Sequence, residues 1–441
     1  MTAISKWREL MGKINPQAEA LNQIILDNNP AVYDLLSHRG RAIFFPKSGI
    51  IKQSAEAKGK TINATIGMAM EDDGTPMRLP GIAKAVNMDP GDVFPYASSY
   101  GKPEMRKVWQ EMIRKKNPSL KGKISLPVVT SALTHGLSMC GYLFADPGDK
   151  IIITDKFWGN YRLIFENGYG AELDPFNTFK NGGFDTDGFR DKLRGKGKKI
   201  ILLNFPNNPS GYTPTDEEAN EITGIIRQSA EQGNPVAVLT DDAYFGLVYK
   251  PGIYKESMFA KLADLHENVL AVKIDGATKE DYVWGFRVGF ITYASKGITD
   301  ATCTALEDKT GGAVRGNISN APHISQSLVL QSMTSGTYAQ EKADKYRLLK
   351  KRFDMVEKVF ADNREKYMPC FTPLPFNSGY FMCVELHGLE GEPVRKLLLD
   401  KYSTGTIAVG NLIRVAYSCT PTDKIEEVFE NLYQACRELK G

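Results

Sequence analysis

The sequence predicts an α/β protein, with a large domain around a mostly parallel sheet and a smaller α+β domain built from both ends of the chain. Three observations support this prediction. Short apolar, β-branched runs recur from residue 126 to residue 292, and stretches with helical spacing separate most of them. Near residue 320 this alternation gives way to a long charged helix followed by short strands. We therefore place the large domain at residues 76–319 and the smaller domain at residues 1–75 and 320–441, with an N-terminal arm.

The apolar runs of the large domain are continuous rather than alternating, which is typical of strands that helices cover on both faces. Because helical stretches alternate with them, the strands are expected to run mostly parallel. In chain order the runs are LPVVT at 126–130, KIIIT at 150–154, KKIILLN at 198–204, PVAVLT at 235–240, VLAVKI at 269–274 and RVGFITY at 287–293.

The two chain ends have a different pattern. Residues 338–363 predict one long helix, because an apolar stripe recurs at steps of three and four: Tyr346, Leu349, Phe353, Val356 and Phe360. Strands are predicted at 379–386 and 412–418, and a last helix at 422–439. The first 70 residues predict helix and loop.

Composition excludes several classes of function. The chain has 55 Lys and Arg against 52 Asp and Glu, so its net charge of +3 gives no reason to expect nucleic acid or a membrane surface as partner. The six cysteines form no CxxC pair and the five histidines have no ligand spacing, so we expect no metal site and no disulfide scaffold. Without a signal peptide or a long apolar segment, the protein is expected to be soluble and cytoplasmic.

Residues with useful chemistry follow the predicted strands, at the edge where open parallel sheets bind ligands. The turn Ser131-Ala132-Leu133-Thr134 opens a helical pattern, which suits an anion at a helix N-terminus. The chain has no GxxxxGK[ST] loop and no GxGxxG after the first strand, so a nucleotide site is not expected. The later strands lead into an aromatic cluster at 155–161, an amide-rich turn at 205–212, the acidic segment 241–244, and a lysine at 279.

Three motifs in this order resemble the class I pyridoxal-phosphate aminotransferases, the aspartate and aromatic aminotransferase group. They are Asn-Pro-Ser-Gly at 208–211, Asp-x-Ala-Tyr at 241–244 and Thr-Lys-x7-Arg-x-Gly at 278–289. The resemblance runs from about Asn63 to the C-terminal helix. It implies the fold type I of pyridoxal-phosphate transferases and pyridoxal 5′-phosphate as cofactor. It also implies transamination between an L-amino acid, with aspartate or an aromatic residue as donor, and a 2-oxo acid of the 2-oxoglutarate type.

The resemblance assigns catalytic roles to three residues. Lys279 corresponds to the lysine that forms an imine with the cofactor and moves the substrate's proton. Asp241 would face the pyridinium nitrogen and keep it protonated, and the register of its motif favours it over Asp242. Tyr244, together with Asn208, resembles the pair that hydrogen-bonds the cofactor's 3′ oxygen.

The phosphate and the ring of the cofactor have their own expected partners. Arg287 resembles the phosphate-binding arginine, whose guanidinium offers two parallel donors. Trp158 aligns with the side chain that stacks on the ring. Gly276 departs from the family pattern, which usually has a phosphate-binding serine there, so water or another residue must replace that hydroxyl. The phosphate loop itself falls on Ala132, Leu133 and Thr134, with the Thr278 hydroxyl nearby.

The resemblance also implies substrate and subunit contacts. Arg414 would bind the α-carboxylate, a role favoured by the cost of burying an arginine between apolar strand residues without an anion. Asn208 and Gly67 would line the same pocket, and Arg315 would bind a side-chain carboxylate. Tyr96 and Ser319 resemble residues that reach the neighbouring subunit's cofactor, so we expect a homodimer with shared active sites.

The sequence leaves two alternative functions open. A lyase that eliminates a β or γ substituent on the same fold would use the same cofactor residues, so the sequence barely separates it from a transaminase. A non-catalytic, effector-binding regulator domain is the second alternative. Such proteins carry a basic helix-turn-helix segment ahead of the fold, and residues 1–60 show no such pattern.

Overall fold

A seven-stranded sheet carries several of the predicted site residues at the carboxyl ends of its strands. In the computed structural model, which describes residues 16–37, 40, 41, 44, 88–418, 420 and 422–441, this sheet has the order β1-β9-β8-β7-β6-β2-β3. The strands up to β9 are β1 (Val128–Ser131), β2 (Lys150–Thr154), β3 (Glu172–Phe176), β4 (Phe179–Lys180), β5 (Gly183–Phe184), β6 (Lys199–Asn204), β7 (Val236–Asp241), β8 (Val269–Gly276) and β9 (Val288–Ala294). The short strands β4 and β5 form a separate two-stranded ribbon.

The mostly parallel α/β architecture predicted from the sequence is confirmed. Strands β3, β2, β6, β7 and β8 run parallel, and β9 is antiparallel to both of its neighbours, β8 and β1. Each of the six apolar runs forms a strand. The edge strand β3 was not predicted, because its sequence ELDPF is largely polar and contains a proline, which sheets tolerate at an edge.

Helices cover both faces of this sheet. Successive side chains of a strand point to opposite faces of its sheet. In β8, Leu270, Val272 and Ile274 belong to one buried cluster while Val269 and Ala271 belong to another, so both faces are covered. The helices up to residue 333 are α1 (Pro16–Asn28), α2 (Pro30–Leu35), α3 (Pro90–Val93), α4 (Pro103–Lys116), α5 (Ala132–Phe144), α6 (Thr186–Lys192), α7 (Asp216–Glu231), α8 (Met258–Leu262), α9 (Ala277–Glu280), α10 (Asp300–Ile318) and α11 (His323–Met333).

A second, four-stranded antiparallel sheet follows in the C-terminal part. Its strands are β10 (Phe371–Pro373), β11 (Met382–Leu386), β12 (Ile407–Val409) and β13 (Leu412–Val415), in the order β10-β11-β13-β12. The helices of this part are α12 (Tyr338–Asp362), α13 (Arg364–Tyr367), α14 (Gly391–Tyr402) and α15 (Ile425–Lys440). Both predicted strands and both predicted helices are therefore present.

The apolar stripe predicted on the long helix packs as expected. In α12 the side chains of Leu349, Phe353 and Val356 are buried, and Tyr346 and Phe360 pack partly buried against the same cluster. Burying one face of a long charged helix in an apolar cluster provides the hydrophobic stabilisation that isolated helices lack.

The described N-terminal residues pack on the large sheet's side of the molecule. Helix α1 lies against α10, and the Asn29 side chain donates to the Glu267 carbonyl at 2.8 Å and to Ser295 Oγ at 3.3 Å. The domain boundaries, including the assignment of residues 1–75 to the smaller domain, stay a prediction. Among the described helices, none combines the length and apolarity needed to cross a lipid bilayer. The cytoplasmic location also stays a prediction.

Candidate active site

The ends of β6, β7 and β8 bring several predicted site residues to one edge. Asn204 ends β6 and pairs in register with Asp241, which ends β7. The Asn204 side chain accepts from the Asn208 N–H at 2.9 Å and donates to the Asp241 carbonyl at 2.9 Å. One buried amide thus ties the Asn-Pro turn to the acidic segment. Asn204 was not among the predicted site residues.

Asp241 is a buried carboxylate with two donors. Tyr161 Oη donates to its Oδ2 at 2.5 Å, and the Ala243 N–H donates to its Oδ1 at 3.1 Å. Burial raises the pKa of Asp241, while Tyr161, Ala243 and the Lys279 ammonium act against that rise. A buried carboxylate of this kind favours a cationic partner beside it.

In the sequence, Tyr161 is one member of the aromatic cluster at 155–161. It precedes a π-helical segment, Arg162–Asn167, and π-helical turns are frequent at functional sites. Burial raises the pKa of its phenol well above the usual value, so the hydroxyl stays protonated and remains a donor to Asp241. No local sequence pattern distinguishes this tyrosine from a core aromatic.

The rival Asp242 is engaged elsewhere. Its carboxylate forms a close ion pair with the fully buried Lys273 and accepts from Ser257 Oγ at 2.6 Å. Lys273 also lies 3.4 Å from Asp275, whose carboxylate accepts from the Trp109 indole at 3.0 Å. Asp242 is therefore neutralised by a buried network of its own, which leaves Asp241 as the aspartate near Lys279.

Lys279 lies in the one-turn helix α9, directly after β8. Its Nζ is 5.4 Å from the centre of the Tyr244 ring. Burial lowers the pKa of the Lys279 amine and the Arg287 guanidinium adds to this, although Asp241 opposes it. A lower pKa leaves more of the amine neutral, which is the form that attacks a carbonyl.

Arg414 reaches the same site from the second sheet. Its Nη1 donates to Asn208 Oδ1 at 3.0 Å, and its guanidinium lies 4.3 Å from the centre of the Phe381 ring. Its Nε is buried and finds no partner among the described residues. Burial raises the pKa of Tyr244, which lies close enough for Asp241 to raise it further and for Arg414 and Asn208 to lower it. Four predicted residues therefore converge around Tyr244.

The predicted phosphate loop begins helix α5. Ala132 has a left-handed backbone with φ 64°, held by Thr130 Oγ1, which donates to the Ala132 carbonyl at 2.9 Å. The Ser131 N–H donates to His135 Nδ1 at 3.0 Å. Leu133 is buried in the first turn of the helix. The positive end of a 13-residue helix at this point favours an anion.

Arg287 and Thr134 line one open cleft of about 530 Å³ together with Ser131 and His135. Arg287 is exposed, and the only hydrogen bond found for its side chain among the described residues runs to the Trp284 carbonyl at 3.5 Å. A cation and a helix N-terminus on one cleft are compatible with binding a phosphate group.

Close backbone contacts explain why position 276 is a glycine and not the serine expected from the family pattern. A Cβ at Gly276 would lie 2.5 Å from the Val288 carbonyl oxygen and 2.8 Å from Gly289 Cα. A Cβ at Gly289 would in turn lie 2.5 Å from the Ala132 carbonyl carbon. Three backbone segments therefore approach too closely for any side chain at 276. A candidate for the missing hydroxyl is Thr278, whose Oγ1 is buried without a partner among the described residues.

Trp158 lies in the turn after β2 and is half-buried. Its ring stands edge-on to Tyr161, with 5.5 Å between the ring centres and 88° between the planes. Its stacking on a cofactor stays a prediction.

Three residues expected to act across subunits or on a distal carboxylate lie at the surface. The Tyr96 side chain is 68% exposed, and Arg315 and Ser319 are exposed at the end of α10. The Ser319 carbonyl accepts from Ser99 Oγ at 2.8 Å. Among the described residues, no hydrogen bond or ion pair joins these three side chains to Lys279, and their roles stay predictions. Gly67 lies outside the described residues.

Comparison with known proteins gives a family. The profile described as aminotransferase class I and II matches residues 61–432. An aspartate aminotransferase from Pyrococcus horikoshii is 24% identical over 387 residues, which cover 84% of this chain and 90% of the relative. A probable N-acetyl-LL-diaminopimelate aminotransferase from Bacillus subtilis is 27% identical over 62% of this chain and 63% of its own length.

Solved structures share the fold. An aminotransferase from Anaerococcus prevotii superimposes with a TM-score of 0.69 at 24% identity, covering 87% of this chain and 94% of that one. An aromatic aminotransferase from Pyrococcus horikoshii gives a TM-score of 0.66 at 16% identity, covering 89% and 100%. The resemblance identified from the three motifs is thereby confirmed, and the chain belongs to the class I and II aminotransferases, a family of transferases that depend on pyridoxal phosphate.

Proposed function

We propose that this protein transfers the α-amino group of an L-amino acid to a 2-oxo acid, with pyridoxal 5′-phosphate bound at Lys279. The observation that carries the proposal is the convergence around Tyr244. The Lys279 amine lies 5.4 Å from that ring, and Asp241 and the Arg414–Asn208 pair are near enough to shift its pKa. A nucleophilic amine, a buried carboxylate and a carboxylate-binding guanidinium are the groups that this chemistry needs.

The residues present fit the cofactor. Buried polar atoms without partners among the described residues, Thr278 Oγ1 and Arg414 Nε, are donors available to an anion. The N-terminus of α5, Thr134 and Arg287 would hold the phosphate, Asp241 the ring nitrogen, and Tyr244 with Asn208 the 3′ oxygen. Trp158 would cover the ring. When bound, pyridoxal phosphate accepts the electrons of the bond that breaks at the substrate's Cα.

The chain's own residues supply orientation and proton transfer. We propose that Arg414 binds the α-carboxylate through two of its nitrogens, while Phe381 and Asn208 hold the guanidinium plane. A carboxylate fixed at this point orients the Cα–H bond for transfer of its proton. Lys279, whose amine has a lowered pKa, is proposed to take that proton and return it.

The identities of the amino-group donor and of the 2-oxo acid acceptor are also proposals. We infer an aspartate or aromatic donor and a 2-oxoglutarate-type acceptor, supported by the motifs and by relatives named as aspartate aminotransferases. Arg315 stays our proposal for a side-chain carboxylate, supported by its position four residues before Ser319. If Arg315 binds that carboxylate, the Arg315→Ala variant will lower the aspartate-to-phenylalanine rate ratio. An unchanged ratio removes Arg315 from the site.

We also propose a homodimer with shared sites. Its support is that exposed apolar side chains, Leu163 and Ile318, line the same cleft as the cationic Arg287. Soluble proteins tend to cover such apolar patches with a partner surface.

Reduction with borohydride tests the proposal directly. The protein is purified, supplied with pyridoxal phosphate, reduced and digested, and peptide mass spectrometry should find the cofactor on Lys279 and nowhere in the Lys279→Ala variant. Assays with aspartate or phenylalanine plus 2-oxoglutarate should yield glutamate. Release of ammonia without a new amino acid would instead indicate the lyase, and an unlabelled Lys279 would refute the cofactor assignment.

A further inference from the structure

Side chains from the C-terminal part of the chain hold the three residues 279–281. Tyr380 Oη donates to the Lys279 carbonyl at 2.8 Å. Tyr338 Oη donates to Asp281 Oδ1 at 2.6 Å, and Lys342 Nζ lies 2.9 Å from the same carboxylate and 3.4 Å from Glu280. We call Tyr338, Lys342 and Tyr380 the anchor residues.

Lys279 depends on such contacts because its own helix is short. Helix α9 has four residues, and at its end the Asp281 N–H donates to the Ala277 carbonyl at 3.0 Å. Besides Tyr380, the Tyr282 N–H donates to the Lys279 carbonyl, at 3.3 Å. A single helical turn is not stable by itself, so its geometry is set by tertiary contacts.

The charges next to Lys279 are also neutralised from outside the helix. Glu280 is buried and lies 2.6 Å from Lys116 Nζ as well as near Lys342. Burial alone would raise the pKa of the Glu280 carboxyl, but Lys116 and Lys342 lower this pKa to about 2. A buried carboxylate with two cations is held firmly in place, since moving it away would leave an unpaired charge.

Tyr380 lies between Lys279 and the groups proposed to bind substrate. Its ring centre is 5.3 Å from that of Tyr244 and 6.2 Å from that of Phe381, which stacks on Arg414. Tyr380 also shortly precedes β11, and β11 pairs with β13, which places Cys383 opposite Arg414. A single buried side chain therefore connects the main chain of Lys279 to the strand pair that carries Arg414.

We propose that Tyr380, assisted by Tyr338 and Lys342, is a positioning residue that fixes the Lys279 main chain relative to Arg414, so that the amine and the carboxylate-binding guanidinium keep a constant separation. This inference rests on the proposed function, because it assigns Tyr380 a part in the reaction of that site. Tyr380 itself touches no reacting atom in the proposal. It acts through the Lys279 carbonyl.

The Tyr380→Phe variant tests the role, with Tyr346→Phe as matched control. Tyr346 also donates its hydroxyl to a main-chain carbonyl, that of Val248 at 2.5 Å, which lies outside residues 279–281. For Tyr380→Phe we expect kcat to fall about tenfold, as for the loss of one hydrogen bond, with the KM for the amino acid within about twofold. The pH midpoint of the bound cofactor's absorbance change should shift, because the environment of the lysine nitrogen changes. Tyr346→Phe should alter neither quantity.

Two results would overturn the inference: wild-type kcat and spectral midpoint in Tyr380→Phe, or the same changes in Tyr346→Phe. Should Tyr380→Phe fail to fold, Tyr338→Phe is measured instead, with a fall in kcat of about threefold expected and unchanged kcat contradicting the role. These outcomes are separate from failure of the proposed function. If the wild-type protein takes up no pyridoxal phosphate on Lys279, the proposed function is refuted. If the wild type is active but substitutions of the anchor residues change neither kcat nor the spectral midpoint, only the positioning role is refuted.

Discussion

Tyr161 donates a 2.5 Å hydrogen bond to the carboxylate of Asp241 at the end of the central strand β7. Eighty residues separate the two in sequence. The bond opposes the effect of burial, which raises the pKa of the Asp241 carboxyl. Tyr161 therefore helps to keep Asp241 ionised, the state in which it can pair with a protonated ring nitrogen.

Removing this hydroxyl should shift the pH dependence of the reaction in a defined direction. In Tyr161→Phe the carboxyl loses a donor that stabilised its charged form, so its pKa rises further and a higher pH is needed to ionise it. We expect the acid limb of the kcat/KM profile to move to higher pH and cofactor affinity to fall about tenfold or more. Tyr212→Phe, which removes a 2.6 Å bond to Glu218 and leaves the donors to Asp241 in place, is the control. An unshifted acid limb in Tyr161→Phe would contradict the assignment.

Restoring the family serine at position 276 should harm the protein. The Cβ of Gly276→Ser would lie 2.5 Å from the Val288 carbonyl oxygen, so β8 and β9 must separate. We expect the free energy of unfolding to fall by about 1–3 kcal/mol and cofactor affinity to decrease. Denaturant unfolding and a fluorescence titration with pyridoxal phosphate measure the two effects.

Gly224→Ser provides the matched control for that experiment. Gly224 lies in helix α7, and a Cβ added there would have no atom from outside its own helix turn within 4 Å, so the same substitution meets open space. We expect its stability to be equal to or slightly above that of the wild type, since serine has a higher helix propensity than glycine. If Gly276→Ser were as stable as Gly224→Ser, the steric account of the missing serine would be wrong.

The sequence sufficed to predict the elements whose signal is local. Continuous apolar runs identified six strands of the main sheet, because a strand buried on both faces has apolar residues throughout. The stripe ending at Phe360 identified α12, because a helix buried on one face has apolar residues at steps of three and four. Strand β3 has no such apolar pattern. Its residues are largely polar and include Pro175, which a sheet tolerates in an edge strand.

The site could be predicted where motifs carry it and not where distant contacts do. Lys279 and Asp241 stand in recognisable motifs, and Arg414 is conspicuous as an arginine between apolar strand residues. Tyr161 and Tyr380 act through single hydrogen bonds to residues 80 and 101 positions away, and a lone tyrosine in an apolar setting does not reveal its partner. Such pairings arise from the fold as a whole, so only the structure identifies them.

Substituting Arg414 should separate substrate binding from cofactor binding. Arg414→Lys keeps a positive charge but loses the paired donors and the stacking on Phe381. We expect the KM for the amino acid to rise about 10- to 100-fold while pyridoxal phosphate affinity stays unchanged. Arg190→Lys, at an exposed site beside Asp187 and Glu221, controls for the exchange itself and should leave both constants unaltered. An unchanged KM in Arg414→Lys would exclude this arginine from the carboxylate site.

The proposed sharing of sites can be tested by mixing two defective variants. Lys279→Ala lacks the amine, and Tyr96→Ala lacks a side chain that is 68% exposed within one chain and that we propose reaches the partner's cofactor. In a hybrid dimer, the subunit with Tyr96→Ala keeps its own Lys279 and receives an intact tyrosine from the other subunit. One site of the hybrid is therefore complete, whereas the second site carries both defects.

Random reassociation of equal amounts should restore about a quarter of wild-type activity, because half of the dimers are hybrids and each has one complete site. Native mass spectrometry shows whether hybrids form. Two copies of Lys279→Ala, mixed after separate labelling, control for reassociation and should stay inactive. Hybrids without recovered activity, or a fully active Tyr96→Ala homodimer, would mean that Tyr96 does not act across the interface.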